Sequence, residues 1–505
     1  MFFKFAILVL STLVFWTVPA LSAFGYTSDS THFTMDAGST NPFIFKVNKS
    51  NGDITSILYK GVELQQQSPY SHINCGLGTA TVSAAIVNSQ YVKITAVASG
   101  LTHYYQNFHG TYVTANPSIG ELRFIARLKS SNLPSAAYLG ADTLGSTSTV
   151  EGSDVFIVNG QTRSKFYSNE GFIDDEVHCI WGSSAKVCMV IPDPVAYETS
   201  AGGPFMRDIN YNNGRDYHAL YWYMNSGHIR TEDPRLGLHG PYAMVFSQSG
   251  EPSKTLGSSF FSTLGISGYV ATASRGCVSG AATGVPSGFP IVLRWYNTAA
   301  QYWAYASSNG QFTSPPMKGG TYTMVLYKDE LKVATKSVTV NSESTTSSII
   351  ASTEGTQNTV PVGFRNAANQ LTMHPSDTRM SSWRPLTYSV GSSIGENIHE
   401  LCCKKWIPMA QIIAVNNPAT ITFSLSSVSG TYILRVGATL SFASARPQVK
   451  LNSWTSSTLA APVKIDSRGF TRGGYRGYGK SYGYTIPIRN IFSGSGGETF
   501  LSPNL

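Results

Sequence analysis

Short segments in which apolar and polar residues alternate recur along most of the chain. Clear examples are residues 91–98 (YVKITAVA) and 121–128 (ELRFIARL), and glycine, asparagine, serine and proline residues separate such segments. Alternation with a period of two is typical of β-strands that bury one face, and no segment longer than a few turns has the helical period. The sequence therefore predicts an all-β protein without internal repeats.

The predicted strands form three groups, which we interpret as three domains. Residues 23–265 contain many short strands, as in a large β-sandwich. A smaller set occupies residues 266–346, with strands predicted at 291–296, 302–307, 322–327 and 332–340. A Ser/Thr run at 342–348 (SESTTSS) predicts a linker, and residues 347–505 are expected to form a third β domain.

The first 22 residues have the features of a secretion signal. Lys4 supplies a positive charge, residues 5–18 are largely apolar, and small residues at positions 20 and 22 suit cleavage before Ala23. The apolar run is shorter than the roughly 20 residues that a membrane-spanning helix needs. We therefore expect residues 1–22 to be a signal peptide and the protein to be secreted, with no membrane anchor.

The charge balance permits an acidic partner. The formal net charge is +8, although only 13% of the residues are charged. A polyuronide, a nucleic acid or an anionic membrane would suit this charge equally well. Residues 471–479 (TRGGYRGYG) imitate an RNA-binding segment, but behind a secretion signal and among strands they are better interpreted as turns. We therefore expect neither a nucleic-acid nor a membrane partner.

The six cysteines indicate disulfide bonds in an oxidising compartment. Cys179 and Cys188 flank a turn-like Gly-Ser-Ser, so a hairpin would bring them face to face and predicts a disulfide between them. No CxxC pair with a matching His or Cys pair is present, which argues against a zinc site. Asn48 begins an N-glycosylation motif (Asn-Lys-Ser).

Two arginines share one face of the strand predicted at residues 121–128. Alternation places Arg123 and Arg127 on that face, roughly 13 Å apart, and the apolar side chains on the other. A planar guanidinium matches a carboxylate, so a row of arginines suits an acidic polymer. The competing interpretation is a solvated strand face on which the arginines pair with nearby acids.

Aromatic residues and a histidine occur together in the segment 219–228 (ALYWYMNSGH). The predicted strand places Tyr221 and Tyr223 on one face, and His228 follows a Ser-Gly turn. Sugar sites combine aromatic rings with polar groups, and a histidine there can act as acid or base near neutral pH. A half-buried strand with a structural histidine explains the same residues.

Lys165 lies in the short segment 163–167 (RSKFY), on the same predicted face as Arg163. A lysine beside another cation and shielded from water has a lowered pKa, and this would let it act as a base. A solvated surface lysine is the alternative.

Several longer segments resemble fungal rhamnogalacturonan lyases of polysaccharide lyase family 4. They include PSIGELRFIARL (117–128), RSKFYS (163–168), GGPFMRDINYNNG (202–214), ALYWYMNSGH (219–228) and GFRNAANQLTMHPSDTRMSSW (363–383). The resemblance covers nearly the whole mature chain. It implies a large N-terminal catalytic β-sandwich, a fibronectin-III-like middle domain and a C-terminal carbohydrate-binding-like jelly roll.

The resemblance also assigns roles to individual residues. It implies Lys165 and His228 as the catalytic pair, Arg123 and Arg127 as cleft arginines, and Tyr221 and Tyr223 as cleft tyrosines. The implied activity is secreted endolytic cleavage of rhamnogalacturonan I by β-elimination, during pectin degradation, by a monomer that needs no metal cofactor and is compatible with a structural calcium.

Two alternatives of other classes stay open. One is a carbohydrate-binding protein on the same scaffold without turnover. The other is a glycoside hydrolase, which would need two apposed carboxylates, and the available acids are Asp174, Asp175 and Asp208.

The chain departs from the family at a few places. An early cysteine pair of the family falls on Gly52 (or Asn51) and Ala96, so that bridge is absent. Residues 394–411 contain an unfamiliar insertion with Cys402 and Cys403, and the stretch after Pro487 looks short. We therefore expect an incomplete third domain.

Overall fold

The computed structural model describes most of the first 353 residues and separate strands beyond them. The described residues are 23–73, 77–105, 109–114, 121–136, 145–146, 148–151, 155–158, 161–164, 171–192, 194–206, 208–226, 232–255, 257, 259–329, 331–353, 387–389, 419–423, 431–438, 446–460, 480–487 and 497–504. Strands dominate these residues, and the helices among them are short 3-10 turns at Pro194–Tyr197, Ser259–Thr263 and Thr272–Ser274. Within these residues no helix is long and apolar enough to cross a bilayer.

In the first part of the chain the described strands form four antiparallel sheets. Their strands are β1 Gly25–Ser28, β2 His32–Asp36, β3 Phe43–Asn48, β4 Ile54–Tyr59, β5 Val62–Glu63, β6 His72–Ile73, β7 Thr81–Val87, β8 Tyr91–Ala98, β9 Leu101–Tyr105, β10 His109–Val113, β11 Leu122–Lys129, β12 Ser135–Ala136, β13 Ser148–Glu151, β14 Val155–Val158, β15 Gln161–Ser164, β16 Val177–Trp181, β17 Lys186–Val190, β18 Tyr211–Asn213, β19 Tyr217–Asn225 and β20 Gly237–Ser247. The sheets have the orders β1-β2-β3-β4-β5, β12-β16-β17-β20-β10-β9-β8-β7, β18-β19-β11-β6 and β13-β14-β15.

The four-stranded sheet packs one face against the eight-stranded sheet. Trp222 of β19 and Phe124 of β11 lie against Tyr242 of β20, with ring centroids 4.2 and 5.9 Å apart. All three rings are buried in the main hydrophobic core, whose removal from water stabilises the sandwich. Because successive side chains of a strand point to opposite faces, the intervening residues of β11 and β19 face away from this core.

A disulfide joins Cys179 and Cys188, as the sequence predicted. The two residues are directly opposite each other in the β16–β17 hairpin, with Cα atoms 4.0 Å apart. Cys277 is a half-buried free thiol, while Cys75, Cys402 and Cys403 lie outside the described residues.

The missing family cysteine pair maps to two residues that do touch. A Cβ atom at Gly52 would lie 3.1 Å from the Cβ of Ala96. That separation is slightly shorter than the roughly 3.5–4.5 Å between the Cβ atoms of a disulfide. The positions inferred from the resemblance are therefore neighbours in this fold, and small apolar packing replaces a bridge there.

Asn48 ends β3 in a tight turn. Its Oδ1 accepts hydrogen bonds from the N–H of Ser50 at 2.8 Å and from the hydroxyl of Ser50 at 2.7 Å. Asn48 is half-buried and Ser50 is exposed, so the motif lies at the surface. Glycosylation of Asn48 stays a prediction.

The second domain is a seven-stranded sandwich. Its strands are β21 Cys277–Thr283, β22 Ile291–Tyr296, β23 Gln301–Tyr305, β24 Gln311–Thr313, β25 Gly320–Lys328, β26 Leu331–Val340 and β27 Thr345–Ala351. They form sheets of order β24-β21-β27 and β23-β22-β25-β26 around one hydrophobic cluster. The four strands predicted here from alternation are all present, with ends that differ by up to two residues.

The predicted linker is wrong, because most of the Ser/Thr run belongs to strand β27. This strand pairs in parallel with β21 and buries Ser348 and Ile350. Serine and threonine occupy exposed positions of β27, so its composition resembles that of a linker. What makes it a strand is its pairing with β21, which lies more than 60 residues earlier and is not visible in the local sequence. A Cβ atom at Gly280 would overlap the carbonyl oxygen of Ser348, so this glycine permits the close approach of β27.

The C-terminal third contains seven described strands in two sheets. They are β28 Thr387–Ser389, β29 Ala419–Phe423, β30 Tyr432–Ala438, β31 Arg446–Leu451, β32 Trp454–Thr455, β33 Lys480–Ile486 and β34 Gly497–Asn504. The sheets have the orders β28-β29-β34-β31-β32 and β30-β33, so β34 lies between two other strands. The unfamiliar insertion at residues 394–411 lies outside the described residues.

The first two domains are joined through buried charges. Glu198 follows a 3-10 turn of the first domain, and its carboxylate contacts Arg275 at 2.8 Å and Lys318 at 2.7 Å. Tyr302 of β23 donates a further hydrogen bond to the same carboxylate at 2.7 Å. A second carboxylate, Glu232, binds Arg294 of β22. These contacts fix the second domain against two segments of the first domain, one that precedes β18 and one that follows β19.

Candidate active site

The outward face of the four-stranded sheet brings the predicted arginines and tyrosines together. In the β11–β19 register, Arg123 lies opposite Tyr223, and Ile125 lies opposite Tyr221. The next outward residue of β11 is Arg127, opposite Ala219. Because paired residues of antiparallel strands project from the same face, this sheet presents a row of cations beside a row of aromatic rings.

Arg123 is already paired with an acidic side chain. It forms an ion pair with Glu121, and its Nη1 donates a 2.8 Å hydrogen bond to the Tyr223 hydroxyl. The Tyr223 hydroxyl in turn donates to Glu121 at 3.3 Å. Arg123 is therefore paired with a nearby acid, as the competing interpretation expects, and its role in substrate binding stays a prediction.

Arg127 differs because it has no acidic partner among the described residues. Its Nη1 donates a 2.9 Å hydrogen bond to the Tyr217 hydroxyl, and its guanidinium lies 5.2 Å from the centre of the Tyr217 ring. A tyrosine hydroxyl and ring stabilise a cation without neutralising it. Arg127 is therefore a half-buried positive charge available to an anionic ligand.

Tyr221 and Tyr223 are largely buried. They contact Arg123 and offer little exposed ring surface to a ligand. The two rings stack with centroids 5.9 Å apart, and the side chains are only 7% and 3% exposed. The Arg123 guanidinium lies over both rings, 6.0 and 5.5 Å from their centres. Burial raises the pKa of Tyr221, although the charges of Arg123 and Arg127 partly oppose this, so its hydroxyl stays protonated.

Sequence reasoning missed two residues of this face, Tyr217 and His72. Tyr217 continues the alternation of β19 two residues before Ala219, so extending the predicted strand would have found it. His72 lies opposite Ile125 on the two-residue strand β6. A strand this short carries no alternation, so nothing local to the sequence placed His72 on the face.

The acids considered for hydrolysis have structural partners. Both oxygens of Asp175 are engaged, because His178 and Asn210 contact Oδ1 at 2.8 and 3.0 Å and the Tyr197 hydroxyl contacts Oδ2 at 3.4 Å. Asp174 accepts a 2.8 Å hydrogen bond from Tyr305 of the second domain. Asp208 is buried at 2% exposure. Asp174 and Asp175 are thus committed to structural contacts rather than to a pair of apposed catalytic carboxylates.

The hydrogen-bonded pair His178–Asp175 contacts β19, the strand that carries Tyr221 and Tyr223. The second nitrogen of His178 contacts the backbone carbonyl of Tyr221 at 2.6 Å. The buried His178–Asp175 pair therefore anchors β19 at Tyr221, the residue opposite Ile125.

The two predicted catalytic residues lie outside the described residues. Lys165 follows Ser164, the last residue of β15, and His228 comes three positions after Asn225, the last residue of β19. Within the described part of the chain, no group of three or more His, Cys, Asp or Glu side chains is arranged to hold a metal ion.

Comparison with known proteins covers the same three regions. Family models match residues 24–268 (Rhamnogalacturonan lyase B, N-terminal), 274–348 (Polysaccharide lyase family 4, domain II) and 353–498 (Polysaccharide lyase family 4, domain III). The order large sandwich, fibronectin-III-like domain and carbohydrate-binding-like domain agrees with the prediction from the sequence.

Curated relatives extend over almost the full length. Rhamnogalacturonate lyase A of Aspergillus aculeatus is 51% identical over 525 residues, which cover 98% of this chain and 97% of the relative. Rhamnogalacturonate lyase A of Emericella nidulans is 50% identical over 526 residues, with the same coverage of 98% and 97%. The chain therefore belongs to polysaccharide lyase family 4.

Proposed function

We propose that this protein is a secreted rhamnogalacturonan endolyase that cleaves the linkage between rhamnose and galacturonic acid by β-elimination, which breaks the bond between C4 and O4 of the galacturonic acid. The substrate is the rhamnogalacturonan I backbone of pectin, and the proposed form is a monomer. The relatives named rhamnogalacturonate lyase support the activity. The observation that carries the proposal for this chain is Arg127, a cation without an acidic partner among the described residues, on a face lined with tyrosines.

The chemistry explains why such a cation is needed. The proton on C5 of a galacturonate is poorly acidic while the adjacent carboxylate carries its full charge. A guanidinium that binds the carboxylate stabilises the negative charge that develops as this proton leaves. Arg127 suits that role because it has no acidic partner among the described residues, whereas Glu121 already balances the charge of Arg123.

The proton transfers are assigned to Lys165 and His228. In the proposed reaction Lys165 removes the C5 proton, and the electron pair forms a double bond between C4 and C5. The bond from C4 to the rhamnose oxygen breaks, and His228 protonates the departing oxygen. Tyr217, Tyr221 and Tyr223 hold the arginines in position by hydrogen bonding and ring contacts.

The activity is tested by ultraviolet absorbance, because only a lyase creates a double bond in the uronic acid. We expect absorbance to rise when the secreted protein acts on rhamnogalacturonan, with little change on homogalacturonan. New reducing ends without absorbance would indicate hydrolysis. Binding to rhamnogalacturonan without any product would favour the carbohydrate-binding alternative.

Replacing Arg127 with lysine should weaken the enzyme although the charge is kept. The ammonium group lacks the planar fork that binds a carboxylate through two hydrogen bonds. We expect kcat/KM to fall about 10- to 100-fold. This is the loss expected when the transition state lacks one hydrogen bond between charged groups, which contributes roughly 1.5–3 kcal/mol. The matched control is Arg123→Lys, which should lose less because Glu121 already balances that charge. Equal losses in both variants would contradict the special role of Arg127.

A further inference from the structure

We propose that His72 is a substrate-binding residue of the same cleft, where its imidazole hydrogen-bonds the acidic sugar whose carboxylate is held by Arg127. This inference rests on the proposed function, because it assumes that an acidic sugar occupies the outward face of the four-stranded sheet.

The register places His72 among the cleft cations. His72 lies opposite Ile125, so its side chain shares the outward face with Ile125 rather than the buried face occupied by Ile73. Arg123 and Arg127 are the residues two positions before and after Ile125. They are therefore diagonal neighbours of His72, about 7–8 Å away and within reach of long side chains.

The surroundings keep the ring neutral in the free enzyme. Burial lowers the pKa of His72, and the positive charges of Arg127 and then Arg123 lower it further, to about 4. A neutral imidazole has one N–H donor and one acceptor nitrogen. His72 has a hydrogen bond with the backbone of Tyr70, which leaves the rest of its hydrogen-bonding capacity for a ligand in this half-buried position.

Among the described residues, the charged groups that act on His72 are Arg127 and Arg123 of the adjacent strand β11, and Glu121 next to them is paired with Arg123. Beyond β11 the nearest titratable groups of the face are the tyrosines of β19. On its other flank β6 ends the sheet, and the chain meets β4 through the backbone bond from the Ile54 N–H to the Ser71 carbonyl.

These surroundings couple His72 to the substrate charge. When a galacturonate carboxylate binds Arg127, it cancels much of the positive potential that disfavours protonation of the ring. The imidazole then gains affinity for a proton, and the protonated ring donates a hydrogen bond to the sugar. Substrate binding and partial proton uptake at His72 are therefore linked in weakly acidic solution.

The first test separates binding from turnover. We expect His72→Ala to raise KM about tenfold with little change in kcat, since the contact is made before and during the reaction. His72→Gln keeps a hydrogen-bonding side chain and should recover most of this loss. The matched control is His218→Gln on β19, which replaces a buried histidine on the opposite face of the same sheet and should leave KM unchanged. Thermal melting of each variant identifies any loss caused by unfolding.

The second test measures the proton. Calorimetric titration with a rhamnogalacturonan oligosaccharide at about pH 5, in two buffers of different ionisation enthalpy, should show proton uptake by the wild type. His72→Gln should bind with less uptake, because glutamine does not titrate. An unchanged KM in His72→Ala, or equal uptake in His72→Gln, would overturn the role of His72. If the wild type binds the oligosaccharide but forms no unsaturated product, the proposed function fails while the calorimetric test of His72 still stands.

Discussion

Alanine in place of Lys165 or of His228 should lower the turnover of rhamnogalacturonan at least about 100-fold, the lower end of what a general acid or base contributes. The reaction moves two protons, one from C5 to the enzyme and one from the enzyme to the departing oxygen. Without a base the C5–H bond has only water to receive its proton, and without an acid the oxygen leaves as an anion. Either deficit raises the barrier of the chemical step.

The effect should appear in kcat more than in KM. The transferred protons matter mainly in the transition state, whereas the carboxylate and the sugar rings are bound throughout. The assay is the rise in ultraviolet absorbance at saturating substrate, with thermal melting to verify the fold. Lys254→Ala is a suitable control, because that lysine is exposed and pairs with Glu176 at the surface. Near-normal turnover in Lys165→Ala would remove that residue from the mechanism.

Replacing Glu198 with alanine should destabilise the contact between the first two domains by roughly 3–5 kcal/mol, the usual result of breaking a buried ion pair. The side chains of Glu198 and Arg275 are 2% and 3% exposed. Alanine would leave Arg275 buried without its carboxylate, and Lys318 and Tyr302 would lose the same partner. An uncompensated buried charge is costly because water is excluded from it.

The measurement is urea or thermal unfolding of the wild type and the variant. Glu176→Ala provides a matched control, since it removes a carboxylate from an ion pair whose side chains are 60% and 43% exposed. That control should change the free energy of unfolding by less than about 1 kcal/mol. Equal stabilities of the Glu198 and Glu176 variants would show that the buried network does not hold the two domains together.

The advantage of the wild type over Glu198→Ala should depend on pH in one direction. Burial alone would raise the pKa of Glu198, but Arg275 and Lys318 outweigh it, so the pKa lies below the ordinary 4.5. A lowered carboxyl pKa stabilises the folded state above the unfolded value and loses that contribution on acidification. The difference between the two proteins should therefore be full above about pH 4.5 and shrink below it.

The contacts between the first two domains also extend to the four-stranded sheet. The segment that carries Glu198 continues to Ser200 and Ala201, and the Ala201 N–H donates to the side chain of Asn225, the last residue of β19, at 3.0 Å. Gln301 of the second domain donates to the carbonyl of Ser200 at 2.9 Å. The fibronectin-III-like domain thus supports the end of the strand that carries Tyr221 and Tyr223.

The sequence by itself determined the strands near residues 91–98, 121–128 and 219–225 and four of the strands of the second domain. Alternation in residues 121–128 separated Arg123 and Arg127 from the side chains that enter the core, and the turn between Cys179 and Cys188 predicted their disulfide. These features follow from local periodicity, because the side-chain direction in a strand changes with every residue. Composition alone gave the wrong prediction at residues 342–348, because most of this linker-like run forms a strand that pairs with β21.

Only the tertiary structure decided how the two arginines differ and what surrounds them. Both occupy equivalent positions in the alternation, yet Glu121 neutralises Arg123, whereas the described side chain that binds the Arg127 guanidinium is the uncharged Tyr217. The burial of Tyr221 and the position of His72 likewise depend on strands distant in sequence. The charge and pKa of a side chain are set by the groups that approach it in space, and strand pairing brings those groups from elsewhere in the chain.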